Sequence, residues 1–160
     1  KKQQPSAKRM ATTARAFDTS GNSGFQYVYI PSKFRMKTKE LRQRLRILGF
    51  DNSRILDVHY PDRQVVALLL HNDYHPAFLQ NLERHKITLI SDFNPRNPAH
   101  LRDPKFADLP ANERQTKANE IHAQRLERAL RFIRPPVKYA VARSFYQQQW
   151  IDEDTLRSVL

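Results

Sequence analysis

Alternation of apolar and polar positions begins at residues 26–31, where Val28 and Ile30 stand on one face of an extended segment and Tyr27 and Tyr29 on the other. The period then lengthens. Leu41, Leu45 and Leu48 form a stripe that predicts a helix over 38–48, with Gly49 placed to end its last turn. Residues 55–60 and 65–71 return to strand pattern, and Tyr60-Pro61-Asp62-Arg63 between them reads as a hairpin turn. Pro76 opens a second helix carrying Phe78, Leu79 and Leu82, and 87–90 reads as a fourth strand. Residues 25–95 thus predict an α+β, ferredoxin-like βαββαβ core, with both helices on one face of a four-stranded sheet. The third strand is apolar at every position from Val65 to Leu70, so its second face also needs a cover. Val66, Leu68 and Leu70 are expected to point toward that cover.

Beyond a Pro-punctuated linker at 96–109, residues 110–160 predict a helical extension that packs on the core. Ala118, His122, Leu126, Ala129 and Ile133 share one side of a helix over 110–133, which Pro135 and Pro136 end. Val137, Val141 and Phe145 repeat the stripe over 137–146, and Asp152-Glu153-Asp154 opens a short last helix. At the other end, residues 1–24 hold Lys1, Lys2, Lys8, Arg9 and Arg15 against Asp18 alone and read as a basic disordered arm.

Charge changes the picture from fold to partner. With 28 Lys and Arg against 16 Asp and Glu, the net charge is +12, a field suited to phosphate polyanions. No apolar run approaches the roughly 20 residues that span a bilayer, so a soluble, intracellular chain, cytoplasmic or nuclear, is expected, with no membrane partner. The cations are grouped. Lys33, Arg35, Lys37, Lys39, Arg42, Arg44 and Arg46 are interrupted only by Glu40, and Lys39, Arg42 and Arg46 fall on one arc of the first helix, away from its leucines. A second group, Arg125, Arg128, Arg131, Arg134, Lys138 and Arg143, spreads along the later helices. Ordinary solvated helix faces would explain isolated cations, but such faces usually mix signs. Tyr27 and Tyr29 add two rings on which unpaired bases could stack.

Catalysis has little to stand on. The absence of Cys removes thiolate nucleophiles and zinc knuckles. His71-Asn72-Asp73-Tyr74-His75 spans a strand end and a turn, where helical metal-ligand spacing does not apply. Asp57 and His59 alternate on a strand as exposed polar residues commonly do, and His122 on an apolar helix side reads as a core histidine. The glycines at 21, 24 and 49 lack phosphate-loop spacing. No catalytic residue, cofactor, metal or small-molecule substrate is therefore expected.

Val28-Tyr29-Ile30 resembles the shorter ribonucleoprotein motif of RNA-recognition motifs, which implies a base-stacking role for Tyr29. The third strand departs from the family's longer motif. Gln64-Val65-Val66-Ala67-Leu68 keeps the small Ala67 but has Val66 and Leu68 where that motif has aromatics. The Ser-Arg-Ile-Leu-Asp-Val-His-Tyr-Pro run at 53–61 carries a further likeness, as do Leu-Arg-Asp-Pro-Lys-Phe-Ala-Asp-Leu at 101–109 and Pro-Val-Lys-Tyr-Ala-Val-Ala-Arg at 136–143. Together they resemble the gag-like, first-reading-frame proteins of fungal retrotransposons, which implies packaging of element RNA. The expected function is noncatalytic binding of RNA or single-stranded DNA. Candidate contacts are Tyr27, Tyr29, Lys33, Arg35, Lys37, Lys39, Arg42, Arg46, Arg125, Arg128, Arg131, Lys138 and Arg143. The alternative is a protein-interaction module that assembles as a homo-oligomer without touching nucleic acid.

Overall fold

From residue 24 onward, the computed structural model contains β1 (Phe25–Pro31), α1 (Thr38–Ile47), β2 (Ile55–Asp62), β3 (Val65–His71), α2 (His75–Arg84), α3 (Ala111–Phe132), α4 (Val137–Gln147) and α5 (Glu153–Val159). The structure describes residues 6, 7, 9, 10 and 24–160, so the basic arm read over 1–24 lies almost wholly outside the described residues. The fold is α+β. Its sheet has the order β1-β3-β2 with both pairs antiparallel, which makes β3 central and leaves β2 at an edge.

β3 is covered on both faces, and residues Val66 to Leu70 are at most 1% exposed. Val66, Leu68 and Leu70 join Val28, Ile30, Leu41, Leu45, Phe50, Phe78 and Leu82 in a core between the sheet and α1 with α2. Leu69 joins Phe25, Leu126, Leu130, Val141, Phe145 and Ile151 in a second core beneath α3 and α4. The expected face assignment is thus reversed, and register explains why. Val28 pairs with Leu68 and Ile30 with Val66, and paired residues share a face. Once β1 turns its aliphatics toward α1 and α2, those of β3 follow.

The expected fourth strand is not a strand. At 87–90 the chain makes one backbone hydrogen bond to β1, from the Ile90 N–H to the Tyr29 carbonyl at 2.9 Å, while Ile87 and Leu89 pack on the first core. Lys86 turns the chain at φ 58° just before this segment, which then runs beside β1 without the repeated bonds of a ladder. The hairpin turn lies later than expected, at Arg63 and Gln64. Pro61 stays inside β2 because this is an edge strand whose register shifts between His59 and Asp62.

Local signals explain the helix ends and stripes. Gly49, at φ +88°, lets the Phe50 N–H reach the Leu45 carbonyl at 3.0 Å and the Gly49 N–H reach that of Arg46 at 2.9 Å, a Schellman closure of α1. Both Leu45 and Phe50 are buried beneath it. On α3, Ala118, His122, Leu126 and Ala129 are buried, as is Ile133 at its end. On α4, Val141 and Phe145 are buried, whereas Val137 is exposed at the first turn. No helix among the described residues is long and apolar enough to cross a membrane.

Candidate nucleic-acid interface

The two basic groups, far apart in sequence, meet along β2. An open groove of about 930 Å³ is lined by Arg35, Lys37 and Arg42 from the approach to α1 and from α1 itself, by β2 from Leu56 to Tyr60, and by Arg125, Arg128 and Phe132 from α3. Its five cations come from elements brought together only by the docking of α3 on the sheet.

These cations are not equivalent. Arg42 donates from Nη1 to the Ile55 carbonyl at 2.9 Å, and the Asn52 amide returns a bond to the Arg42 carbonyl at 2.7 Å. Burial lowers its pKa, and the side chain is half-buried rather than part of an exposed arc. That corrects its place on an exposed arc: Arg42 flanks the leucine stripe and reaches the turn at Asn52–Arg54. Arg42→Gln should therefore lower stability by about 1 kcal/mol in chemical denaturation, the scale of one lost hydrogen bond. Arg125 is also half-buried and donates to the Pro61 carbonyl at 3.3 Å; burial and the charge of Arg35 lower its pKa. Arg35 lies over the Tyr60 ring, 5.4 Å from its centroid, and is exposed, as are Lys37 and Arg128. Lys33, Lys39, Arg46, Arg131 and Arg143 are exposed outside the groove lining, and Lys138 is half-buried outside it.

Tyr27 and Tyr29 do not stand on a bare sheet face, which corrects the stacking surface expected there. The Tyr27 hydroxyl donates to Asp57 Oδ2 at 2.8 Å, and its ring lies 6.1 Å from that of Phe145 and 5.9 Å from that of Trp150. Burial, and then the Asp57 charge, raise its pKa well above the usual phenol range. Tyr29 packs on Phe93 at 4.6 Å between ring centroids, and Phe93 stacks on His100 at 4.6 Å; burial pushes the Tyr29 hydroxyl up to about 12. The cover arises because the tyrosines share their face with Ala67 and Leu69, the floor on which the later chain docks.

Other polar groups have structural work. Asp57 Oδ2 lies 2.9 Å from His59 Nδ1 as well as accepting from Tyr27. The Asp73 N–H donates to His71 Nδ1 at 3.0 Å, capping the turn before α2. Among the described residues no group of three His, Asp or Glu is arranged to hold a metal ion. Asp62, near the far end of β2, accepts two bonds from Arg102, at 2.6 and 3.0 Å, and lies 2.9 Å from His100 Nδ1. The Arg102 bonds hold its pKa down at about 2. His122 is buried on α3, its Nδ1 has no hydrogen-bond partner among the described residues, and burial followed by the charges of Arg96, His59 and Arg125 lowers its pKa to about 4.

Both shifts make acid destabilising, in different windows. Unfolded His122 binds a proton more readily than folded His122, so its contribution is complete above 6.5 and is lost as pH falls toward about 4. The Asp62 contribution is complete above 3.8 and is lost as pH falls toward about 2. The melting temperature should accordingly drop on acidification from 6.5 to 4, and His122→Leu should flatten that part of the profile while preserving the fall below it.

Three features of the site were missed from sequence. Phe132 and Tyr60 line the groove, and the Asp62 clamp on Arg102 fixes the linker to the end of β2. Phe132 had a weak signal, since it lies on α3 next to the buried Ile133 yet outside the apolar stripe. Comparison of the chain with protein-family models, curated proteins and solved structures gave no match in any of the three.

Proposed function

We propose that this chain is a noncatalytic RNA-binding protein whose phosphate contacts lie in the β2 groove rather than on the sheet face. The observation that carries the reading is the convergence of Arg35 and Lys37 with Arg125 and Arg128 on one open groove in a chain of net charge +12. Cations held along a groove neutralise successive phosphates and release counterions, which supplies affinity without reading sequence. The three strands, with 87–90 bonded at the outer edge of β1, support a ferredoxin-like core with a reduced fourth strand. RNA-recognition motifs bind on the sheet face, which α3 and α4 fill here. The resemblance to retrotransposon gag-like proteins gives the reading a biological setting, the packaging of element RNA.

The test is a titration of the full chain with single-stranded RNA, single-stranded DNA and duplex at two salt concentrations. About four phosphate contacts on a single strand predict a slope of log affinity against log salt near −3, a loss of roughly fiftyfold between 50 and 200 mM salt. Absence of binding to every form at low salt would overturn the reading. A mass that rises with protein concentration in that case would favour the assembly module instead.

A further inference from the structure

The groove carries one feature that phosphate binding does not use. Phe132, in the last turn of α3, is 76% exposed, while its neighbours Leu130 and Ile133 are buried. It contributes almost nothing to the core, yet it lines the same groove as Arg35, Lys37 and Arg128. Also in that lining is a second flat group, the Tyr60 ring with the Arg35 guanidinium 5.4 Å above it. The Tyr60 hydroxyl accepts from the Met36 N–H at 2.9 Å, which holds this ring in place.

We infer that Phe132 is a base-stacking platform and that the groove selects unpaired RNA over duplex, an inference that rests on the nucleic-acid reading above. The chemistry follows from what each strand form presents. Unpaired bases have free π-faces that an exposed ring can cover, whatever their sequence. In a duplex those faces lie against neighbouring base pairs, and only phosphates and groove edges remain available. Cations beside an exposed ring therefore fit a flexible single strand, whose backbone follows the charges while a base turns onto Phe132. Charge complementarity favours this occupant over an apolar or basic peptide. Sequence preference should be weak, because stacking accepts every base.

The experiment compares the full-length wild type with Phe132→Ala and Phe132→Trp, using labelled mixed-sequence single-stranded RNA, the matching single-stranded DNA and the corresponding duplex. Phe132→Ala should weaken both single strands about tenfold, leave duplex affinity and the salt slope unchanged, and leave the melting temperature where it was. Phe132→Trp should restore or exceed wild-type affinity for the single strands. Unchanged single-strand affinity in Phe132→Ala, or equal losses on single strands and duplex, would overturn the stacking role while leaving phosphate binding in the groove intact. A wild type that binds no nucleic acid would overturn both.

Discussion

Replacing Phe145 with Ala should destabilise the protein by about 3–5 kcal/mol, the range for truncating a buried aromatic in a packed core. Phe145 is 0% exposed and lies between α4 and the sheet, with its ring 5.4 Å from that of Trp150 and 6.1 Å from that of Tyr27. The resulting cavity would undermine the second core at its centre. It would also loosen Tyr27, whose hydroxyl bonds to Asp57 on β2. For a chain of this length each kcal/mol corresponds to roughly 2–4 °C, so the melting temperature should fall by about 10 °C. Phe132→Ala on the neighbouring helix removes the same side chain from an exposed position and should change stability by less than about 0.5 kcal/mol. Equal melting temperatures for Phe145→Ala and the wild type would mean that α4 does not depend on this contact to hold the sheet.

Much of the fold was legible in the chain because several segments carry signals that agree. Leu41 and Leu45 set the buried face of α1, and Gly49 ends it through a backbone conformation that other residues adopt with strain. The stripe from Ala118 to Ile133 marked the docked side of α3. The assignment of β3 faces failed because an uninterrupted run from Val65 to Leu70 has no alternation to orient it. That information lies in β1, where Val28 and Ile30 alternate with tyrosines, and it reaches β3 only through pairing register. The segment 87–90 has strand composition, but composition does not report how many backbone bonds a neighbouring edge accepts.

The candidate site was legible in charge and illegible in geometry. Spacing found both basic groups, yet their meeting along β2 is a product of the docked α3. The internal role of Arg42 depends on the carbonyl of Ile55, and backbone acceptors leave no mark in a side-chain pattern. Tyr27 and Tyr29 were recognised as one face, but what covers it comes from more than sixty residues later, at Phe93, Phe145 and Trp150.

The largest expected effect on binding comes from removing the exposed groove cations together, as Arg35→Gln, Lys37→Gln and Arg128→Gln in one chain. All three are exposed, so the variant should keep its fold and change stability by less than about 0.5 kcal/mol. Three lost phosphate contacts should reduce the salt slope on single strands by roughly 2 and weaken all sequences alike. Arg46, Arg131 and Arg143, exposed outside the groove lining, form the matched control. Changing those three to Gln removes the same charge, but should retain most of the slope. The decisive measurement is the salt dependence of single-stranded RNA affinity for the wild type and these two triple variants, each verified as folded. Phosphate binding in the groove predicts a slope flattened by about 2 in the groove variant and nearly intact in the control. A folded groove variant with wild-type affinity and wild-type slope would contradict it.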